Sequence, residues 1–198
     1  MKNKILILII ILAFYSCQNK DNSKNIVKTI VQDTLSKTLG GTADLSEVTS
    51  KEDKAVELIR KQLLVLLKND IPALTKDERY FYYDAFDLNN DNKNEYFVGF
   101  SNSYFCGSGG CSGYILKNDG SIINRFTVTD FPIYVTTSST EKFYDFIFQS
   151  GGKFHLLKMK GGKYPSNPSV QQVIKGDVPK ESTKVLDIKG KKLEKYSF

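Results

Sequence analysis

The chain is poor in the residues that most often carry chemistry. It has one histidine, His155, three cysteines and no tryptophan in 198 residues. Zinc takes four ligands, and with one histidine in the whole chain it is a poor reading of the Cys106 and Cys111 pair. No C-x-x-C pair is present, which is the spacing of thiol redox motifs. No G-x-x-x-x-G-K-[ST] loop occurs, since "GGKF" and "GGKY" lack its spacing. No nucleophile-elbow motif appears either. The longest apolar run falls well short of the about twenty residues that a membrane-crossing helix needs. The formal charge is +6. Lys2 and Lys4 supply two of those charges, and the other lysines are scattered among acids. Nucleic-acid binding needs a basic stripe, so no nucleic-acid partner is expected.

What is present describes a packed, strand-rich domain with an address at its front. Hydrophobic residues make up 40% and charged residues 25%, which excludes wholesale disorder. The 13 Phe and 11 Tyr suit strands, where aromatic rings pack on a pleated surface. At the N-terminus, "MKNKILILIIILAFYSC" sets two lysines ahead of an apolar run from Ile5 to Phe14. That length fits a signal-peptide apolar region. Ser16-Cys17 follows, and no A-x-A-like site is present. This stretch resembles the lipobox of bacterial lipoproteins, with Phe14 where leucine is commoner. The resemblance implies cleavage before Cys17 and a lipid on its thiol. A two-chain anchor would fix the mature protein to a membrane of the cell envelope. Gln18 leans that address toward the outer membrane.

Three segments follow: a signal peptide over 1–16, a lipidated Cys17 with a polar tether over 17–48, and a globular domain over 49–198. The tether is rich in Asn, Lys, Ser and Thr and holds a Gly-Gly break. Thr49 and Glu52 are spaced as a capping box. The helix they would open runs to the Asn69-Asp70 pair ahead of Pro72. Ala55, Leu58, Ile59, Leu63, Leu66 and Leu67 recur at three and four residues and form its apolar face. Strand signals dominate afterwards: 79–88, 95–101, 113–117, 122–130, 143–149, 153–160, 183–188 and 192–196. Short turns separate them. The expected fold is α+β: one N-terminal amphipathic helix packed on an antiparallel meander sheet.

Two loops stand out. "DLNNDNKNE" offers oxygens at alternate positions: Asp87, Asn89, Asp91, the backbone carbonyl of Lys93, and Glu95. Calcium takes six to eight oxygens of these kinds. The spacing D-x-N-x-D-x-x-x-E resembles the loops of FG-GAP-type repeats, which join antiparallel strands. Asn92 stands where those loops usually have Gly, and Asn tolerates positive φ. A calcium loop and a metal-free hairpin, with the acids bonding local amides, both remain open. In "YFCGSGGCSGY", a bond between Cys106 and Cys111 would close a six-residue ring that the glycines make feasible.

"DLNNDNKNE", "CGSGGC" and "YPSNPSV" occur here in the order seen in a broad group of uncharacterised bacterial secreted proteins and lipoproteins, which the chain resembles from Asp84 to Val170. That likeness implies a secreted fold and carries no activity. The prolines stiffen YPSNPS, whose Tyr164, Ser166 and Asn167 are candidate binding residues. His155 alternates with Leu157 and Met159 on one strand face, which suits a half-buried, hydrogen-bonded imidazole. The leading expectation is a non-enzymatic binding or accessory lipoprotein of the envelope. Its two loops and YPSNPS would form one rim facing a protein or glycan. An inhibitor or immunity protein against an envelope-targeting hydrolase is the alternative, and a hydrolase using His155 is the third reading.

Overall fold

The computed structural model describes residues 45–191 and 193–198. Cys17, the expected signal peptide and nearly all of the expected tether lie outside the described residues. Among the described residues the fold is dominated by antiparallel sheet, with one α-helix and ten strands.

Helix α1 spans Leu45–Leu66. It therefore opens ahead of Thr49, which lies inside the helix and is not its cap. Ala55, Val56, Ile59, Leu63 and Leu67 are buried, while Leu58 and Leu66 are half-buried. The helix gives way to a turn and then a 3-10 helix at Ile71–Ala73, with Pro72 inside it. No helix among the described residues is long and apolar enough to cross a membrane.

The strands are β1 Tyr80–Phe86, β2 Glu95–Gly99, β3 Cys106–Gly107, β4 Gly110–Leu116, β5 Ile122–Thr140, β6 Phe143–Ser150, β7 Lys153–Leu157, β8 Gln172–Val173, β9 Thr183–Val185 and β10 Tyr196–Ser197. The sheet order is β10-β1-β2-β4-β5-β6-β7-β8, with β3 on β4 and β9 on β5. Neighbours in sequence are mostly neighbours in the sheet, which is a meander.

Both faces of β2 and β4 are covered. Val98, Tyr114 and Leu116 join Ile59 and Leu63 of α1, and Leu67 just after it, in one core. Phe97 and Ile115, one residue away, point the other way into a second core. Successive strand side chains alternate between faces, so a doubly covered strand reads as a continuous apolar run. "YFVGF" and "GYIL" are such runs. The second core is completed by Phe126, Phe146, Phe148, Leu157 and Val185. β5 makes this possible by changing partners. Its first part pairs with β4, up to Cys111↔Thr129. Its second part pairs with β6 from Asp130↔Gln149 onward. The sheet then curls back toward β1: Leu88 O accepts from Tyr144 N at 3.0 Å, and Phe86 meets Tyr144 edge-on at 5.9 Å.

Candidate functional site

The β1–β2 hairpin carries the acidic loop. Phe86 pairs with Glu95, and the residues between form the turn. Asp87 organises it: Oδ1 accepts from Asn89 N at 3.3 Å and Asp91 N at 3.2 Å, and Oδ2 accepts from Asn92 N at 2.8 Å. Asn89 Oδ1 accepts from Asp91 N at 3.1 Å, and Asp91 Oδ1 accepts from Lys93 N at 2.8 Å. Asn89 Nδ2 donates to Asp91 Oδ2 at 3.1 Å. Asn90 and Asn92 have φ of 57° and 64°, so asparagine does supply the left-handed turns. Glu95 is 4% exposed. Its Oε2 accepts from Leu88 N at 2.9 Å.

Burial weakens the acidity of Glu95, and the nearby charges of Asp91 and Asp87 weaken it further. Both aspartates thus lie close enough to act on Glu95. Among the described residues, none of them pairs with a lysine or arginine. The donor set suits calcium chemically: it is all oxygen, mostly anionic, and a carboxylate oxygen holding one amide keeps a second lone pair. Yet no three acidic, histidine or cysteine side chains among the described residues are drawn around a metal-sized centre. The loop oxygens are turned onto the loop's own amides. Asp87, Asn89, Asp91, the Lys93 carbonyl and Glu95 could hold the ion only after some of these side chains turn.

The hairpin is tied to the β5–β6 turn, which is itself tied to a third turn; the sequence pattern does not signal either link. Asn90 Nδ2 donates to the Tyr144 hydroxyl at 2.8 Å. Beside Tyr144, Glu141 accepts from Gly161 N at 3.1 Å and Gly162 N at 3.3 Å. Three turns therefore share one end of the molecule. Tyr144 and Glu141 carry no motif, and only the pairing of β5 with β6 would have placed them.

Cys106 and Cys111 form a disulfide, opposite each other across the β3–β4 pair. This ring does not share a rim with the acidic loop. Tyr96, beside the loop, faces Leu116, whereas Gly99 faces Gly113, toward the ring. The loop and the disulfide sit at opposite ends of β4, separated by about 16 Å of strand. The single rim expected from the sequence is therefore two ends.

The ring leans on β5. A side chain on Gly110 would place its Cβ 2.7 Å from Thr129 N and 2.8 Å from Val128 C, at a φ of +117°. Both the backbone angle and the contact demand glycine. Gly110→Ala is expected to lower unfolding free energy by about 2 kcal/mol, measured by chemical denaturation of the oxidised protein. A variant as stable as its parent would show that β5 yields freely here.

YPSNPS divides. Tyr164 is not a surface residue: it is 3% exposed, its ring lies 4.3 Å from that of Phe146, and its hydroxyl donates to Tyr144 O at 2.8 Å. Burial pushes that hydroxyl far up from its ordinary range, with Asp145 and Glu95 adding to the shift. It belongs to the core and is withdrawn as a binding residue, because its polar tip is already spent. Ser166 is exposed, and its carbonyl accepts from Thr127 N at 3.0 Å. Asn167 is half-buried, and its Oδ1 accepts from Ser169 N at 3.0 Å and Ser169 Oγ at 2.7 Å. Ser166 therefore sits on the disulfide side of β5, away from the acidic loop.

His155, Leu157 and Met159 are all buried. His155 Nδ1 lies 2.9 Å from Gln171 O. A carbonyl can only accept, so Nδ1 carries the proton. Compared with family models, with curated proteins and with solved structures, the chain matches none.

Proposed function

We propose that this is a lipid-anchored protein of the bacterial cell envelope, held by Cys17 at the outer membrane, whose domain packs one amphipathic helix on an antiparallel meander and binds a protein or glycan rather than catalysing a reaction. The observation that carries the reading is the acidic hairpin. Asp87, Asp91 and Glu95 lie together without a lysine or arginine partner among the described residues, on a loop fastened to Tyr144. Such a loop is suited to take calcium and to present an ordered tip, Asn90 to Asn94, to a partner. Ser166 and Asn167 would contribute from the other end. The imidazole of His155 holds a strand connection and is given no catalytic role.

The test is thermal and chemical unfolding of the oxidised protein in calcium and in chelator. Ligand that binds only the folded state raises stability, by about 2.7 kcal/mol at a hundred times its dissociation constant. Affinity on the order of 10⁻⁴–10⁻³ M is expected for an extracellular calcium module. Calcium should stabilise the parent and leave Asp91→Ala unmoved. No shift in the parent at about a hundred times that dissociation constant would remove calcium from the reading and leave a metal-free hairpin.

A further inference from the structure

A second feature lies on the opposite face of the same sheet. Phe146 and Phe148 of β6 point into the second core. By strand alternation, Asp145 and Ile147 point outward. Both are nevertheless only 2% exposed. Asp145, Ile147, Leu156 and Lys158 line a groove of about 290 Å³ whose other wall includes Ile174 and Pro179.

Asp145 is the anomaly in this groove. Its Oδ1 is buried and has no hydrogen-bond partner. Its nearest cation is Lys158, whose Nζ is 3.9 Å from Oδ2, too long for a hydrogen bond. Lys158 itself is 56% exposed, so it reaches in from solvent. A buried carboxylate without donors is costly, and native structures rarely leave one so. Asp177 and Glu181 also line the groove, against Lys158 and Lys175. Acids outnumber bases there by three to two. The lining contains no aromatic ring on which a sugar could stack.

We infer that this groove binds a primary ammonium on an aliphatic stem, with Asp145 receiving the ammonium and Ile147, Leu156, Ile174 and Pro179 covering the stem. The apolar walls match the methylenes, and the excess carboxylate matches the charge. Lys158 is the internal competitor that such a ligand displaces. The same chemistry is offered by a free diamine and by the lysine side chain of a partner protein.

The experiment uses the oxidised protein, with 1,5-diaminopentane, Nα-acetyl-lysine amide and pentane-1,5-diol as probes, followed by amide NMR shifts. Saturable binding of at least one amine is expected, with the diol inert. Asp145→Asn should weaken it about tenfold, the scale of one lost charge-assisted contact. Lys158→Ala removes the competing ammonium, so amine affinity should rise severalfold, and added amine should restore stability that this variant loses. That second variant keeps the test decisive where Asp145→Asn fails to fold. Tighter binding of the diamine points to a free ligand, and tighter binding of the blocked lysine to a partner's side chain. The inference is overturned where neither amine saturates on the parent or on Lys158→Ala, where the diol binds as well, or where Asp145→Asn binds unchanged.

Discussion

Phe146→Ala is expected to lower unfolding free energy by about 3–5 kcal/mol, the range for deleting a buried aromatic ring. Phe146 is fully buried, and its ring is surrounded by others: Tyr164 at 4.3 Å, Phe97 at 5.6 Å, Phe148 at 5.9 Å and Phe126 at 6.5 Å. These rings come from β2, β5, β6 and the segment after β7. No single strand can shift to fill the space without breaking its own ladder, so the cavity should persist. Phe146→Leu keeps part of the volume and should cost less than half as much. The loss has a local consequence too. Tyr144 shares the Phe146 face of β6, and its carbonyl holds the Tyr164 hydroxyl. A hole beneath it should loosen the Tyr144 hold on Asn90 and raise amide exchange in the hairpin. Denaturant titration and hydrogen exchange check both parts. A cost below about 1 kcal/mol would mean that the aromatic cluster is not a packed core.

The elements were largely legible because each obeys a local rule. The spacing of Ile59, Leu63 and Leu67 marks the buried stripe of α1 and the turn after it, and all three are fully buried. The hairpin around Asp87 follows from alternating acids and asparagines, and the disulfide from its glycines. What stayed illegible depends on register. That the acidic loop and the Cys106–Cys111 ring lie at opposite ends follows from which residue of β2 faces which residue of β4, and hydrophobic pattern alone does not fix that offset. Tyr164 reads as part of a rigid loop because Pro165 and Pro168 follow it. Its burial requires Phe146, eighteen positions earlier in the chain, to stand beneath it. The sequence pattern places a strand over 122–130 only. Instead the strand runs on through Phe131-Pro132, where it passes from β4 to β6. Asp145 gave no signal at all, since an acid in an aromatic strand reads as its solvent face until another segment covers it.

Glu95→Gln separates the two readings of the acidic loop, and its largest effect should be on the calcium response. In the metal-free fold Glu95 is a burden. Burial first, then Asp91 and Asp87, hold its pKa above the ordinary carboxylate value of 4.5. The sign follows from proton counting. Between 4.5 and the raised value, the folded chain keeps a proton that the unfolded chain has released. Stability is therefore whole below that window and falls as pH rises through it. Glutamine can still accept from Leu88 N but carries no charge. In chelator, the parent should lose stability relative to Glu95→Gln as pH rises from acid to neutral, and the variant should be the more stable at neutral pH. Calcium reverses the comparison. The ion would compensate the charge of Glu95, so the parent should regain its stability at neutral pH, up to about 2.7 kcal/mol at a hundred times the dissociation constant. The variant, short of one anionic ligand, should regain less than half of that. Denaturation curves of both proteins across pH, in chelator and in calcium, measure all four quantities. If the parent gains stability over the variant through that window in chelator, the carboxylate of Glu95 is not a strained one. If the calcium response survives Glu95→Gln at full size, Glu95 is not a ligand, and the buried acid serves only to hold Leu88 at the mouth of the hairpin.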